Sequence, residues 1–346
     1  MTSVDYNKTH VVNNEFMYKR GLCGLNNLGN TCFMNSIIQC LNHITPLSTY
    51  FLENKYKKST SNTSDCNDVV IEWNKVIRSL WNENSVVTPL GFQKAIQNLS
   101  FKKGITDFSG FGQNDSQEFL QFFLESMHSA LAKKVEMNLR GSPKNKVDEM
   151  AIEALKSYKS FFQKDYSFVI DLFYGQLHSK LLTIKSNKSN ISYSYDPFSC
   201  ISLEISDKYV SIYDCLDNYT AREDLSSSDD LKQFKSLTFW SLPKVLVIFF
   251  KRFDNNQQKL QHQIEFPLEN LDMSKYVTGY SKSKYKYDLI SVSNHMGGCN
   301  GGHYFAYCKN ADKKWYKFDD NVVSTSADIS TKIVSSKAYC LFYILK

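Results

Sequence analysis

The stretch Gly24–Ser36, GLNNLGNTCFMNS, places one cysteine at the junction of two sequence patterns. Two glycines and three asparagines, which favour tight turns, precede Cys32. Apolar residues follow it at helical spacing, at positions 33, 34, 37, 38 and 41. The stretch therefore predicts a turn followed by a helix that begins at the cysteine.

A cysteine in this position has features of a nucleophile. The positive end of the helix dipole and the unpaired N–H groups of the first turn lower the pKa of a thiol there. Thr31 or Asn30 is expected to cap the helix, and Gly29 allows the backbone to turn sharply. The pattern thus predicts that Cys32 is presented to a cleft as a reactive thiol.

The turn also offers an oxyanion donor for a nucleophilic Cys32, and Cys32 itself has an alternative, structural role. The side chain of Asn27, five residues before Cys32, is placed to donate a hydrogen bond to an oxyanion beside the sulfur. The alternative is that Cys32 is a small buried apolar residue, which is the role expected of Cys23 and Cys40.

The composition is that of a globular protein. The chain has 346 residues, of which 42% are hydrophobic and 14% aromatic, with only 6 prolines. Its net charge of +6 is spread along the chain in short lysine clusters, at 55–58 and 282–286. No nucleic-acid-binding motif accompanies these clusters, so no nucleic-acid partner is expected.

The cysteines and the hydropathy pattern predict a location. The longest apolar run, Val245–Phe250 (VLVIFF), has the length of a buried strand rather than of a membrane helix. The N-terminus lacks the apolar run of a signal peptide. Nine cysteines without a C-x-x-C pair fit a reducing compartment. We expect free thiols, no membrane partner and a cytoplasmic or nuclear protein.

The secondary-structure pattern predicts an α+β protein. Residues 1–20 are expected to be flexible, and the length of the chain allows one large domain or two ordinary ones. Helices are predicted after Cys32 and at 69–80, 90–99, 115–131 and 147–162, and strands at 168–173, 175–184, 199–205, 237–253 and 338–345.

A histidine that could serve Cys32 as a base follows a glycine-rich loop. His303 begins the predicted strand 304–309, and the return strand 315–318 ends in Asp319 and Asp320. Cross-strand neighbours have Cβ atoms roughly 5 Å apart. A three-residue loop at 310–312 would place Asp319 opposite His303, whereas a four-residue loop would place Asp320 there. Either carboxylate would orient the imidazole.

Five motifs in order resemble those of the ubiquitin-specific proteases. Residues 24–39 resemble the cysteine box of that family, and residues 295–320 resemble its histidine box, H-x-G-x-x-x-x-G-H-Y followed by W-Y-x-F-D-D. Residues 113–120 (QNDSQEFL), 171–176 (DLFYGQ) and 242–253 look like its intermediate motifs. The resemblance extends over nearly the whole chain, from about residue 21 to residue 345.

The resemblance implies a papain-like α+β fold and a reaction. One catalytic domain would have a helical thumb at about 21–165 and β-rich fingers and palm at about 166–346. Cys32 would be the nucleophile, His303 the general base, Asp319 the residue that orients it, and Asn27 the oxyanion donor. The reaction would be hydrolysis, through a thioester, of the bond after the C-terminal glycine of ubiquitin, with no cofactor.

Substrate-binding residues are also implied. Asp115 and Glu118 match positions whose carboxylates meet the basic ubiquitin tail, although 115–118 is also a capping box that opens a helix. Asp320 is left a hydrogen-bonding role near the oxyanion or the turn. His295 belongs to the segment 294–302, which resembles one of two mobile loops beside the tail, the other being 254–263.

The chain departs from the family at the fingers. Many members bind zinc there through two C-x-x-C pairs, but Thr183 and Ser186 stand at the first pair and residues 225–235 contain no cysteine. We therefore expect no zinc and no other metal, and we expect a monomer. The alternatives are a protease of the same fold for another ubiquitin-like modifier and a non-catalytic ubiquitin-binding scaffold.

Overall fold

The computed structural model describes residues 20–59, 64–82, 84–185, 188–226, 231–254, 256–298 and 301–346. All but the last residue of the segment predicted to be flexible, 1–20, lie outside the described residues.

Helices and strands are mixed along the described part of the chain, as the α+β prediction requires. Its eight α-helices are α1 (Cys32–Asn42), α2 (Thr45–Leu52), α3 (Asn67–Asn82), α4 (Leu90–Lys102), α5 (Ser116–Leu131), α6 (Lys146–Phe162), α7 (Phe168–Phe173) and α8 (Ile212–Tyr219). Its fifteen strands are β1 (Gly24–Leu25), β2 (Val86–Val87), β3 (Gly175–Lys185), β4 (Lys188–Ser194), β5 (Pro197–Phe198), β6 (Ile201–Glu204), β7 (Glu223–Asp224), β8 (Leu231–Ser241), β9 (Val245–Lys251), β10 (Leu271–Asp272), β11 (Lys286–Gly298), β12 (Gly301–Lys309), β13 (Trp315–Asp319), β14 (Val322–Ser324) and β15 (Ala338–Leu345).

The described residues belong to two compact units. The first contains those of 1–131, 255–259 and 290–342, and the second contains those of 132–254, 260–289 and 343–346. Both units are discontinuous in sequence. The prediction of a single catalytic domain with thumb, fingers and palm stays a prediction.

Buried aromatic rings hold the helices of the first unit together. The ring of Trp73 on α3 lies 5.0 Å from that of Phe123 on α5, centroid to centroid. The ring of Phe33 on α1 lies 5.5 Å from that of Phe119 on α5. Such edge-to-face pairs each contribute about 0.5–1.5 kcal/mol beyond the burial of their area. Because every residue of α1 is buried, this packing places the helix that begins at Cys32.

The sheet of the first unit carries the histidine. Its strands lie in the order β14, β13, β12, β11, β15, and the first four pair antiparallel with their neighbours. Helix α1 packs against β12. Cys32 and His303 are therefore carried by neighbouring elements of the same unit.

The second unit is built mainly from strands. β4, β3, β8 and β7 form a sheet in that order, with β5 paired to β3, while β6 and β9 pair in parallel. Tyr195, Trp240 and Ala154 of α6 form a buried cluster against it. The strand predicted at 175–184 is confirmed as β3.

Two strand predictions in this unit were wrong. Residues 168–173 form helix α7, since Ser167 accepts a hydrogen bond from the N–H of Ile170 as an N-cap. The buried positions 169, 170, 172 and 173 follow helical rather than alternating spacing. The run 237–253 is divided into β8 and β9, because Pro243 has no N–H to donate to a ladder.

The positions at which many members of the resembled family bind zinc fall within this unit. Thr183 is a strand residue opposite Asn190 in the β3–β4 pair, whereas Ser186 and residues 227–230 lie outside the described residues. Among the residues that the structure describes, no group of three or more His, Cys, Asp or Glu side chains could hold a metal ion. The zinc-free fingers stay a prediction. No helix of the described ranges is long and apolar enough to cross a membrane.

Candidate active site

Cys32 is the first residue of α1, as predicted, and is 5% exposed. The turn before it uses left-handed backbone, with φ of +95° at Gly29 and +54° at Asn30. Thr31 stands at the N-cap position of α1, but the structure describes no side-chain hydrogen bond that caps this helix. The hydroxyl of Thr31 instead accepts a hydrogen bond from the N–H of Leu28, and Asn30 donates to the carbonyl of Phe111.

Asn27 organises this turn. Its Oδ1 accepts hydrogen bonds from the N–H groups of Gly29 and Thr31, at 3.1 and 3.0 Å. Its Nδ2 donates to Oδ2 of Asp320 at 2.9 Å. The amide oxygen is therefore turned into the loop, and the NH₂ group is the end directed toward the carboxylate.

His303 and Asp319 are in direct contact. Nε2 of His303 lies 2.5 Å from Oδ1 of Asp319. Because this contact occupies Nε2, Nδ1 is the ring nitrogen left to exchange a proton with another group. The backbone N–H of Tyr304, the next residue, hydrogen-bonds to the sulfur of Cys32. Asp319 rather than Asp320 therefore meets the imidazole, as the family resemblance implies.

The predicted hairpin geometry was nevertheless wrong. The strands pair Lys309 with Trp315 and Ala306 with Phe318, so the loop between them has five residues rather than three or four. Continued by one residue, this register places Asp319 opposite Phe305 and diagonal to His303. Diagonal neighbours have Cα atoms roughly 7–8 Å apart, and the imidazole of His303 together with the carboxylate of Asp319 spans this distance.

Asp320 lies beyond the end of β13 and points elsewhere. Its φ is +49°, a left-handed conformation that ends the alternation of the strand. Its Oδ1 accepts a hydrogen bond of 2.8 Å from Nδ2 of Asn35 on α1, while Oδ2 accepts the bond from Asn27. Asp320 therefore connects the hairpin to both sides of the cysteine turn, which is the hydrogen-bonding role the sequence left for it.

The pKa of the Cys32 thiol is raised rather than lowered, contrary to the prediction. Burial raises the pKa of Cys32 above its ordinary value; the N–H of Tyr304 acts against this, and the charge of Asp320 adds to it. The predicted lowering by the helix terminus is therefore outweighed by desolvation. Thiolate formation at Cys32 depends on a nearby proton acceptor.

The carboxylate of Asp319 is favoured in its charged form. Burial raises its pKa, but hydrogen bonds from Lys317 and His303 outweigh burial, so the pKa lies below the ordinary value. A charged Asp319 stabilises an imidazolium at His303. The arrangement can therefore accept a proton from a buried thiol.

The acidic pair at the start of α5 occupies the same unit. Oδ1 of Asp115 accepts from the N–H groups of Gln117 and Glu118, which confirms Asp115 as the cap of this helix. Oδ2 accepts a hydrogen bond of 2.5 Å from the hydroxyl of Tyr339. Burial, followed by the charges of Asp115 and Asp107, raises the pKa of Glu118. Closely spaced carboxylates of this kind favour a cationic ligand.

His295 is a buried residue of strand β11. It is 4% exposed, its ring lies 4.5 Å from that of Tyr304, and its carbonyl accepts a hydrogen bond from Lys259. Burial lowers its pKa to about 4, with further contributions from Lys259 and His303, so the ring is neutral. The segment 294–302, interpreted as a loop, is instead mostly strand, with 299–300 outside the described residues.

Three contacts were missed by sequence reasoning. Asn35, Tyr339 and Lys317 each bond to a carboxylate that the sequence did single out. Asn35 and Tyr339 lie 285 and 224 residues from their partners, so no local pattern links them. Lys317 is two residues before Asp319 on one strand, and period-two spacing could have found it.

Gly302 shapes the wall of this site, and its replacement should be costly. A Cβ atom there would lie 2.2 Å from Nε2 of His295 and 2.6 Å from the backbone oxygen of Met296. That oxygen belongs to the β11–β12 pairing and has little freedom to move. We expect Gly302→Ala to lower the free energy of unfolding by about 1–3 kcal/mol, measured by urea denaturation.

Gly298 provides the matched control for this prediction. It lies in the same glycine-rich segment, and an added Cβ would meet no heavy atom of the described residues within 4 Å. Gly298→Ala should therefore leave stability unchanged. Equal stability of the two variants would contradict the steric argument.

Comparison with known proteins identifies the family. The family model described as ubiquitin carboxyl-terminal hydrolase matches residues 23–343. The ubiquitin carboxyl-terminal hydrolase Usp2 of Drosophila melanogaster is 38% identical over 339 residues, 93% of this chain and 35% of that protein. Ubiquitin carboxyl-terminal hydrolase 2 of Homo sapiens is 32% identical over 348 residues, 94% of this chain and 55% of that protein. The chain thus spans about a third to a half of the length of these relatives.

A solved structure shares the fold. It is a SAGA DUB module of Ubp8, Sgf11, Sus1 and Sgf73 bound to monoubiquitin, and it matches with a TM-score of 0.71 at 27% identity. The match covers 95% of this chain and 70% of the matched chain. The predicted papain-like α+β fold is thereby confirmed. Since the family model spans the cysteine turn, the acidic pair and the histidine hairpin alike, the chain belongs to the ubiquitin carboxyl-terminal hydrolase family.

Proposed function

We propose that this chain is a thiol-dependent deubiquitinating protease that hydrolyses the peptide or isopeptide bond after the C-terminal glycine of ubiquitin. The observation that carries the proposal is the His303–Asp319 pair together with the residue after His303, Tyr304, which bonds through its N–H to the buried thiol of Cys32, within a chain of this family. The same three residue types in the same chain order form the nucleophile, base and orienting group of a cysteine protease.

Catalysis begins with proton transfer within this group. Nδ1 of His303 takes the thiol proton of Cys32, while Nε2 stays bonded to Asp319. Because burial disfavours an isolated thiolate at Cys32, the imidazolium that forms is what stabilises it. Asp319 in turn holds the ring in one orientation and stabilises its positive charge.

The thiolate then attacks the carbonyl carbon of the terminal glycine. The sulfur–carbon bond forms as the carbonyl π electrons move to oxygen, and an N–H of Asn27 stabilises the oxyanion. When the oxyanion collapses, the carbon–nitrogen bond breaks and the imidazolium of His303 gives its proton to the leaving amine. Water, deprotonated by His303, then hydrolyses the thioester and regenerates the thiol of Cys32.

Recognition of the tail is assigned to the acidic pair. Asp115, held by Tyr339 and by its own helix, and Glu118 present carboxylates to the basic residues of the ubiquitin tail. Asp320 holds the amide of Asn27, and His295 supports the wall beside His303 as a neutral ring.

The remaining partner and location assignments belong to the same proposal. The protein acts as a monomer on ubiquitin and ubiquitinated proteins in the cytoplasm or nucleus, without nucleic acid, membrane, zinc or another cofactor. The eight cysteines of the described residues are free thiols, which supports a reducing compartment.

Hydrolysis of fluorogenic substrates tests the proposal. We expect release of the fluorophore from a ubiquitin conjugate, slower release from conjugates of other ubiquitin-like modifiers, and no effect of a chelator. Faster hydrolysis of another modifier would assign the chain to that modifier instead. Tight ubiquitin binding without any hydrolysis would make it a scaffold.

A further inference from the structure

Asp319 uses both oxygens of its carboxylate. Oδ1 lies 2.5 Å from Nε2 of His303, and Oδ2 accepts a hydrogen bond of 2.6 Å from Nζ of Lys317. Lys317 stands at the unspecified position x of the W-Y-x-F-D-D pattern. The residue that orients the base therefore has a second partner, and that partner is a cation.

The strands β12 and β13 present this cation on the same face as the base. Lys317 is opposite Tyr307 in the pairing, and steps of two residues place Phe305, His303 and Asp319 on the same face. Nζ of Lys317 lies 4.5 Å from the centroid of the Phe305 ring. The ammonium is thus held between an aromatic face and a carboxylate, both of which favour a cation.

These groups are only partly shielded from water. The side chains of Lys317, Asp319 and His303 are 31%, 29% and 35% exposed. Their interactions are therefore weakened by solvent but are not those of a fully exposed pair. A charge at Lys317 should still influence proton transfer at the neighbouring imidazole.

Other titratable groups also lie near Lys317, Asp319 and His303. His295 on β11 interacts with His303, and Tyr307 on β12 interacts with Lys317 and Asp319. One step further out, Lys332 before β15 interacts with Tyr307, and Asp320 after β13 interacts with Cys32 on α1. Burial lowers the pKa of His295 to about 4 and raises that of Tyr307, so both are neutral near pH 7. Lys332 is paired with Asp328 at 2.9 Å. Lys317 is the cation that contacts the carboxylate of Asp319.

We propose that Lys317 is a positioning residue that shares the carboxylate of Asp319 with His303 and thereby sets the pH at which the Cys32–His303 pair becomes reactive. The inference rests on the proposed function, because it takes Asp319 as the residue that orients the base. Lys317 acts through Asp319 and does not touch the reacting atoms.

The direction of the effect follows from the charge. Formation of a reactive thiolate requires the Cys32–His303 pair to lose one proton, and a nearby positive charge favours that loss. Removal of the ammonium in Lys317→Met disfavours it and leaves Asp319 to stabilise the imidazolium more strongly. The reactive form should therefore appear at higher pH in the variant.

Alkylation of Cys32 by iodoacetamide measures this directly, without ubiquitin. The rate is followed by mass spectrometry of the Cys32 peptide as a function of pH, at low ionic strength. We expect the midpoint of the profile to rise by about half a pH unit in Lys317→Met, the scale of a partly exposed ion pair. Lys317→Arg, which keeps the charge, should restore the wild-type midpoint, and Lys317→Gln should shift it as methionine does.

Lys314→Met is the matched control, since it removes the same charge from an exposed position at the hairpin turn, five residues before Asp319. A midpoint in Lys317→Met equal to that of Lys314→Met would overturn the proposal. An equal shift in Lys317→Arg and Lys317→Met would also overturn it, since the effect would then come from packing on Phe305. Absence of ubiquitin hydrolysis by the wild type would defeat the proposed function and leave the alkylation result standing.

Discussion

Cys32→Ala should abolish ubiquitin hydrolysis, with a loss on the order of 10⁴ or more in kcat, because alanine offers no nucleophile to the carbonyl carbon. Ubiquitin binding should be little changed, since the proposed contacts with the tail come from Asp115 and Glu118 rather than from the sulfur. Hydrolysis is measured with a fluorogenic ubiquitin conjugate and binding by titration calorimetry.

Cys40→Ala is the matched control for this variant. Cys40 lies on the same helix α1, two turns after Cys32, and is fully buried. Its replacement should keep kcat and lower the free energy of unfolding by about 1–2 kcal/mol, as removal of a small buried group does. Residual hydrolysis by Cys32→Ala within about tenfold of wild type would remove Cys32 from the mechanism.

Asp319→Ala should lower kcat on the order of 10² or more with little change in substrate binding. The loss of about 10⁴ that follows when the aspartate of a serine triad is replaced is an upper reference, since a thiol is more easily ionised than a hydroxyl. The reason for the effect is geometric, because Asp319 bonds to Nε2 of His303 and no other carboxylate of the described residues does so. Steady-state kinetics with the ubiquitin conjugate measure the effect.

Asp320→Ala is the matched comparison for Asp319→Ala. Asp320 is adjacent in sequence and has the same charge, but it accepts hydrogen bonds from Asn27 and Asn35 rather than from His303. Its loss should loosen the amide of Asn27 and lower kcat by less than the loss of Asp319. If Asp320→Ala proved the more damaging variant, the orienting role would pass to Asp320.

Local patterns predicted the parts of the site that lie close together in sequence. A turn of glycine and asparagine before apolar residues at helical spacing placed Cys32 at the first residue of α1. Alternating apolar residues on both sides of a polar turn predicted the hairpin of β12 and β13. Both predictions succeeded because helix starts and hairpins depend on residues within a few positions of one another.

The errors arose where local patterns were ambiguous. The hairpin loop has five residues, and Lys313 within it has a φ of +63°. Lysine rarely adopts this left-handed conformation, so its presence did not signal the longer loop. The segment 168–173 is apolar and short, and such runs do not distinguish a buried strand from a buried helix. The pKa of Cys32 was also misjudged, because burial depends on what packs around the thiol.

The sequence by itself determined the family, the α+β composition and the cysteine at the start of a helix, and its resemblance to the family selected Asp319 as the carboxylate that meets His303. Tertiary structure decided which groups complete the site: Asp320 bonds to Asn27 across 293 residues, Tyr339 to Asp115 across 224, and burial sets the pKa of Cys32. The physical reason is that the type and spacing of side chains can be read directly from the sequence. The partners of a side chain and its exposure to water depend instead on packing between elements that are distant in sequence.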